Sequence, residues 1–348
     1  MTLFEPFIIR TCEGPSGVRP RTRGYEPRQG EPFSPFEIHD PFGLRNAIVP
    51  VFCQHTNGRM YGVGTAFHVD GFGNFLTAYH VIDFVETHLA GRPILFLSMH
   101  AIVFGTVNVP PDCFVPAHEV IASMMEVDDP LAALRKQSTR RPAIDVAWLK
   151  AEGIGPGVKP PQSLAVRTNG WVPQIGEVVL AIGFPELDLS EVDQARQSAL
   201  IEEGMHGAYG RIVAVHENGT SRSNPTPVFE VEGDWPSGMS GGPVFNRNGE
   251  VVGMVSRSLR AEADQGGVGY AVHFGLATDI ELLTPNVDRL NPGWRRCWGV
   301  FVDAESPPIS MHATKHAAEI DAAAWGPSAA IRFIAHRMGS TDFVHLTP

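Results

Sequence analysis

Between about residues 45 and 280, apolar positions fall in short runs rather than in long periodic stretches. The runs read "AIVPVFCQH", "GTAFHV", "NFLTAYHVI", "PILFLS", "AIVFGTV", "DVAWLK", "GEVVLAIGF", "GRIVAVH", "PVFEVEG", "GPVFN", "EVVGMVS" and "GYAVHF". They are rich in Val, Ile and Phe and are bounded by Gly, Pro, Asn and Asp, the pattern of many short strands in an all-β barrel or sandwich. Asn248-Gly249, between "PVFNR" and "EVVGMVS", is a hairpin turn signal. "GTAFHVDGFGNFLTAYH" and "GGPVFNRNGEVVGMVS" share an order of Gly, apolar strand, polar turn and apolar strand. That echo fits two similar halves, divided near residues 152–162 where Gly and Pro break the pattern.

The flanks have another texture. Residues 1–44 contain "EGPSGVRPRTRGYEPRQGEPFSPFE", without apolar periodicity, and predict an extended or disordered arm. From 286 to 348, "NPGWRRCWGVFVDAESPPI" reads as irregular, while "SMHATKHAAEIDAAAW" and "PSAAIRFIAHRM" read as short helices. This extension is too small for a second large domain.

Composition narrows the function. A 348-residue chain with 43% hydrophobic residues can bury a sizeable core, and 29 Pro with 36 Gly fit many turns. A net charge of -11 argues against nucleic acid as a partner. No run approaches the roughly 18 apolar residues of a membrane span, and "MTLFEPFIIRTCEGPSG" has no basic start followed by a long apolar core. Cys12, Cys53, Cys113 and Cys297 match no metal or redox spacing and read as reduced, structural residues. A cytoplasmic protein is expected. His312 and His316 stand four apart, but Ala313 occupies the place of a zincin's Glu and no third ligand stands out. They read as a solvated helix face, so no metal and no organic cofactor are expected. Arg10, Arg19, Arg21, Arg23 and Arg28 read as a solvated arm rather than a site for an acidic partner.

Three stretches carry candidate chemistry. A neutral Ser hydroxyl is a poor nucleophile and needs a base within reach and a third group to orient that base. "FLTAYHVI" supplies His80 at the end of an apolar run, "AIDVAWLK" places Asp145 among apolar residues, and "GDWPSGMSGGPVFN" supplies Ser240 among glycines. A carboxylate in apolar surroundings is costly without a partner. The order His, Asp, Ser along the chain is one of the known triad orders.

With these motifs in order, the chain resembles a trypsin-like serine protease of the chymotrypsin fold, in its HtrA-like bacterial branch. "TAYH", "DVAWLK" and "GMSGGPVFN" are similar to the family's motifs around His, Asp and Ser, and "GEVVLAIGFP" and "GGVGYAVHF" are further echoes. The resemblance spans about residues 45–280 and implies two antiparallel six-stranded β-barrels, the first at about 45–155 and the second at about 163–285. It assigns catalysis to His80, Asp145 and Ser240, an oxyanion hole to the N–H groups of Gly238 and Ser240, and support of the buried Asp to Ser256. It places Asp234, Ser258 and Val268 at the substrate pocket, where small to medium aliphatic side chains rank ahead of Arg or Lys. Met239 stands where digestive trypsins keep the Asp that pairs with a newly cut N-terminus, so activation by that ion pair is not expected. A PDZ module is not expected in the tail. The substrate is then a protein or peptide, and a regulatory protein partner is expected at the N-terminal arm or the C-terminal extension. A protease-fold binding module with a latent or inactive site, and a serine esterase, remain the alternatives to a serine endopeptidase.

Overall fold

The computed structural model describes residues 8–11, 14–17, 34–38, 44, 47–54, 60–69, 74–97, 114–121, 126–128, 140–151, 164, 166–167, 171–185, 205–221, 224–259, 267–277, 286–287, 294–303, 306–312, 315–337 and 342–346. Every predicted apolar run on these residues contains a strand; "AIVFGTV" lies outside them. The strands form two closed antiparallel barrels, as the all-β reading expects. In the first, Ala147–Ala151 pairs with Asn74–Thr77, then follow Met60–His68, Ile48–Gln54, Pro93–Phe96 and Phe114–Ile121, which closes back on Ala147–Ala151. In the second the order is Val178–Gly183, Pro243–Phe245, Val251–Leu259, Val268–His273, Val228–Glu232 and His206–His216, closing on Val178–Gly183.

The apolar runs are most continuous where a strand is buried on both faces. Val178–Gly183 is buried throughout. Val179 and Ala181 face the core of the second barrel with Ile212, Phe229 and Trp235, whereas Leu180 and Ile182 join the cluster that holds Phe67, Leu76 and Leu149 of the first. The period-2 geometry of one strand therefore welds the two barrels along the line where the candidate site lies.

Two segments of the N-terminal arm belong to this architecture. Ile8–Thr11 pairs with Gly14–Gly17, and Ile9 is fully buried in the large core cluster. Phe36–Glu37 adds to the edge of His206–His216. The predicted Asn248-Gly249 turn is formed, with Gly249 at φ +73 and a Cβ there coming within 1.9 Å of the Ile8 carbonyl. Only glycine suits both the left-handed backbone and that approach.

The structure departs from the sequence reading at several places. His80 does not end a strand: the strand stops at Thr77 and His80 sits in the first turn of helix Tyr79–His88. Phe114–Ile121 is an unpredicted strand, because Pro116 argues against one; Pro116 is solvent-facing between the inward Val115 and Ala117. Trp294–Phe301 is a strand, not irregular. Ala330–Arg337 is a strand, not a helix, paired in register with Trp294–Phe301. A short stretch such as Ile331-Arg332-Phe333-Ile334 cannot be told from a helix by periodicity, and here the pairing decides it. These two join Asn286–Val287, Ser310–His312 and Phe343–His345 in a five-stranded sheet, with Ala318 and Ala322 of helix Lys315–Trp325 packed against Val300.

Candidate active site

The site grows from the seam between the barrels. Helix Tyr79–His88 buries Val81, Ile82 and Val85 and leaves the His80 side chain 47% exposed, whereas that of Asp145 is 15% exposed. The base thus reaches solvent while its partner is sheltered. Asp145 lies just before strand Ala147–Ala151. Its Oδ2 is 2.9 Å and its Oδ1 3.1 Å from His80 Nδ1, and Oδ1 also accepts the His80 backbone N–H at 3.0 Å. Ser256 Oγ donates to Oδ2 at 2.5 Å. Three donors thus converge on one carboxylate.

The electrostatics follow from these contacts. Burial disfavours the Asp145 anion, but His80 and the Ser256 hydroxyl overcome it and hold the carboxyl below its usual range. Burial also disfavours a charged His80, yet the Asp145 charge and hydrogen bond, with a smaller push from Asp83, hold the imidazole above its ordinary value. Bonding through Nδ1 leaves Nε2 as the outward nitrogen.

Ser240 sits on the loop before strand Pro243–Phe245. Its Oγ donates to the Ser256 carbonyl at 3.4 Å, and no hydrogen bond joins it to His80 among the described residues. Ser256 therefore touches Asp145 with its hydroxyl and Ser240 with its carbonyl. Gly238 and Gly241 adopt φ +90 and +84. The Met239 carbonyl accepts from Gly242 N–H at 2.8 Å, so the Ser240 N–H, anti to it across a trans peptide, points the other way. Neither the Gly238 nor the Ser240 N–H donates a hydrogen bond among the described residues. Two such free donors beside a hydroxyl can bind a developing anion.

The glycines after Ser240 have a different reason. A Cβ on Gly241 would meet the Thr65 carbonyl at 2.1 Å, and one on Gly242 the Ile182 carbonyl at 2.2 Å, so both allow the loop to press against its neighbours. Met239, whose place bears on activation, is fully buried in the second-barrel core.

The remaining expected residues belong to the second barrel. Asp234 is partly buried beside Gly267, and Ser258 pairs with Gly269 across the sheet. Gly267 and Gly269 face the segment 233–235, so Val268, between them in the strand, points to the opposite face. Trp235 is fully buried with its indole between Gly210 and Gly269.

One contributor left no signal in the sequence. Thr226, ahead of strand Val228–Glu232, accepts the Asp145 backbone N–H at 3.1 Å and donates to the Ala143 carbonyl at 3.2 Å. Elsewhere, His312 lies in strand Ser310–His312, not on a helix face with His316, and its Nε2 is 3.0 Å from Asp321 Oδ2. Among the described residues no group of three His, Cys, Asp or Glu could hold a metal. No helix among the described residues is long and apolar enough to cross a membrane. Cys53 and Cys297 are buried thiols, not joined in a disulfide to each other; Cys12 and Cys113 lie outside the described residues.

Two fused antiparallel barrels, with a His–Asp pair on one and a Ser among turned glycines on the other, define the class of trypsin-like peptidases. The model of the trypsin-like peptidase domain matches residues 64–254, more than half of the chain, and the chain belongs to that family. A probable periplasmic serine endoprotease, DegP-like, of Pseudomonas putida (strain W619) is 31% identical over 155 residues, 44% of this chain and 27% of that protein. The serine endoprotease DegS of Escherichia coli (strain K12) is 36% identical over 112 residues, 31% of this chain and 27% of that protein. The chain thus spans only about a quarter of the length of the curated relatives it matches. Among solved structures, the Rv3671c protease in its inactive form aligns over 68% of this chain and 88% of that chain, at 18% identity and TM-score 0.40.

These relatives correct one expectation. The cytoplasmic placement is overturned by the DegP-like proteins of Pseudomonas, which are named periplasmic. The expectation leaned on the lack of a visible basic and apolar start and on cysteines read as reduced, yet a large hydrophobic core needs no disulfide even in an oxidising compartment.

Proposed function

We propose that the chain is a serine endopeptidase of the periplasm or cell envelope, acting through Ser240, His80 and Asp145. Ser240 Oγ attacks the scissile carbonyl as His80 Nε2 takes its proton. Asp145 fixes the tautomer with Nδ1 protonated and stabilises the imidazolium. The N–H groups of Gly238 and Ser240 receive the oxyanion. His80 then protonates the leaving amine, an acyl-enzyme remains on Ser240, and water attacks it by the same route in reverse. Engagement requires the Ser240 hydroxyl to leave the Ser256 carbonyl for the imidazole, an alignment that unliganded sites often complete only with substrate. The observation that carries the reading is the triply held Asp145 carboxylate with its His80 contact, set at the seam that also holds Ser240.

The substrate is an extended peptide that adds to a barrel edge by main-chain hydrogen bonds. Trp235, wedged against Gly269 beside Ser258, fills room that a long basic side chain would need, which supports small to medium aliphatic residues on the acyl side of the cleaved bond. Asp234 beside it is the feature that argues for Arg or Lys.

Labelling by a fluorophosphonate, read as intact mass beside Ser240→Ala, tests the reading. Stoichiometric labelling of the parent alone is expected; labelling of both, or of neither, counts against it. A second reading is a site latent until a regulatory protein binds, favoured by the contact of Ser240 Oγ with the Ser256 carbonyl. It predicts labelling only after a partner is added.

A further inference from the structure

Thr65 joins the two barrels by three hydrogen bonds close to Ser240. It lies in strand Met60–His68 of the first barrel and is fully buried. Its Oγ1 is 3.0 Å from the Gly238 carbonyl and 3.0 Å from the Phe184 N–H. Its own N–H donates to the Ser240 carbonyl at 2.8 Å, and its carbonyl accepts from Thr77 Oγ1 at 2.7 Å. The direction of the side-chain bonds is fixed. Phe184 N–H can only donate, so the single Thr65 proton goes to the Gly238 carbonyl.

The neighbouring glycines permit this contact. A Cβ on Gly183 would lie 2.9 Å from Thr65 Oγ1, one on Gly64 3.0 Å from the Ser240 carbonyl, and one on Gly241 2.1 Å from the Thr65 carbonyl. Gly238, at φ +90, has no side chain to select one peptide orientation over its flipped alternative. Something outside the loop must hold it. The plane of the 238–239 peptide is held at both ends, its carbonyl by Thr65 Oγ1 and its N–H by the Pro236 carbonyl at 3.3 Å. The Gly238 N–H belongs to the preceding peptide and is joined to that plane through the φ and ψ of Gly238, so fixing the plane anchors one side of the glycine that carries it.

We propose that Thr65 is a positioning residue that, from the first barrel, holds the 238–239 peptide of the second in the orientation that presents the Gly238 N–H to the reacting carbonyl. The inference rests on the serine endopeptidase reading and adds to it a barrel-to-barrel fastening of the oxyanion hole. Thr65 touches no reacting atom. Its effect falls on transition-state stabilisation rather than on substrate binding.

The test compares Thr65→Val, which keeps the shape and removes the hydroxyl, with Thr65→Ser, which keeps the hydroxyl. Activity on a peptide substrate is divided by the fraction of Ser240 labelled at completion by fluorophosphonate, so that unfolded protein is not counted. Loss of a whole oxyanion donor costs roughly 10²–10³ in turnover, and a loosened one is expected to cost ~10–100-fold. Thr65→Val should lose that much in kcat with KM within about threefold of the parent, and Thr65→Ser should stay within about threefold in both. Should the valine variant fail to fold, Thr65→Ala is read in the same way. An unchanged kcat in the hydroxyl-free variant, a loss confined to KM, or an equal loss in Thr65→Ser overturns the proposal while leaving the peptidase reading intact. A parent protein that is neither labelled nor active overturns both.

Discussion

The first barrel presents its part of the site as two side chains, whereas the second presents one hydroxyl set among backbone groups. His80 and Asp145 are held by side-chain hydrogen bonds on a helix turn and a strand approach. The Gly238–Gly241 loop is held by main-chain bonds and left-handed glycines. Each part is nevertheless fastened from the opposite barrel. Thr226 and Ser256 of the second grip the Asp145 segment of the first, and Thr65 of the first grips the nucleophile loop of the second. The contrast teaches that a side-chain half fails through changed protonation and orientation, whereas a backbone half fails through added atoms.

The largest effect expected in the side-chain half comes from Asp145→Asn. Turnover should fall by roughly 10⁴-fold with the fold retained, because the amide cannot stabilise the imidazolium and can favour the wrong tautomer. The residual activity carries a signed test. In the parent, Asp145 holds His80 above its ordinary value, so kcat/KM should rise with pH only above the normal His range. Without that anion, burial is the main remaining influence and the acid limb should move to lower pH. A limb that stays in place would break the assignment of His80 as the base. Stability has the opposite dependence for the partner: Asp145, held below its usual range, stabilises the fold above its unfolded value, and that contribution is lost as pH falls through the folded one.

In the backbone half, Gly241→Ala should be the most damaging small change. Its Cβ would stand 2.1 Å from the Thr65 carbonyl at a residue with φ +84. Strain of about 1–3 kcal/mol, together with the clash, should lower the melting temperature and slow labelling of Ser240. Parent-like melting and labelling would show that the loop is not pressed against the first barrel. The smallest effect sharpens the cross-bracing. Ser256→Ala removes one charge-assisted donor from Asp145, worth roughly 1.5–3 kcal/mol to the buried anion, and should cost about tenfold in kcat/KM. Thermal melts and steady-state kinetics of that variant would separate it from a packing effect.

The parts of the site legible in the sequence were those with side-chain chemistry in a local frame: His80 after Thr77, Asp145 beside an apolar run, Ser240 among glycines. Thr226 was illegible because its contact with Asp145 spans 81 residues of chain, and a lone Thr in "NPTPVF" carries no local mark. The glycines are visible in the sequence, but their separate uses are not. Gly238 keeps an N–H that no described group accepts, whereas Gly241 and Gly242 make room beside the Thr65 and Ile182 carbonyls, and only the packing around the loop distinguishes the two uses. The two barrels could be read from the runs because doubly buried strands are continuously apolar. Phe114–Ile121 hid behind Pro116, and Ala330–Arg337 behind a run whose strand character depends on pairing with Trp294–Phe301.

The reciprocal fastenings have a consequence for how the molecule loses activity under stress. Any opening fluctuation that parts the barrels releases Gly238 from Thr65 and Asp145 from Thr226 and Ser256 in one event. On the proposed reading, the general acid–base and the oxyanion donors therefore go out of alignment together, before either barrel needs to unravel. Under rising denaturant, peptide cleavage should vanish at a lower concentration than the far-ultraviolet signal of the strands. The protein would then pass through a folded but silent state at the edge of its stability.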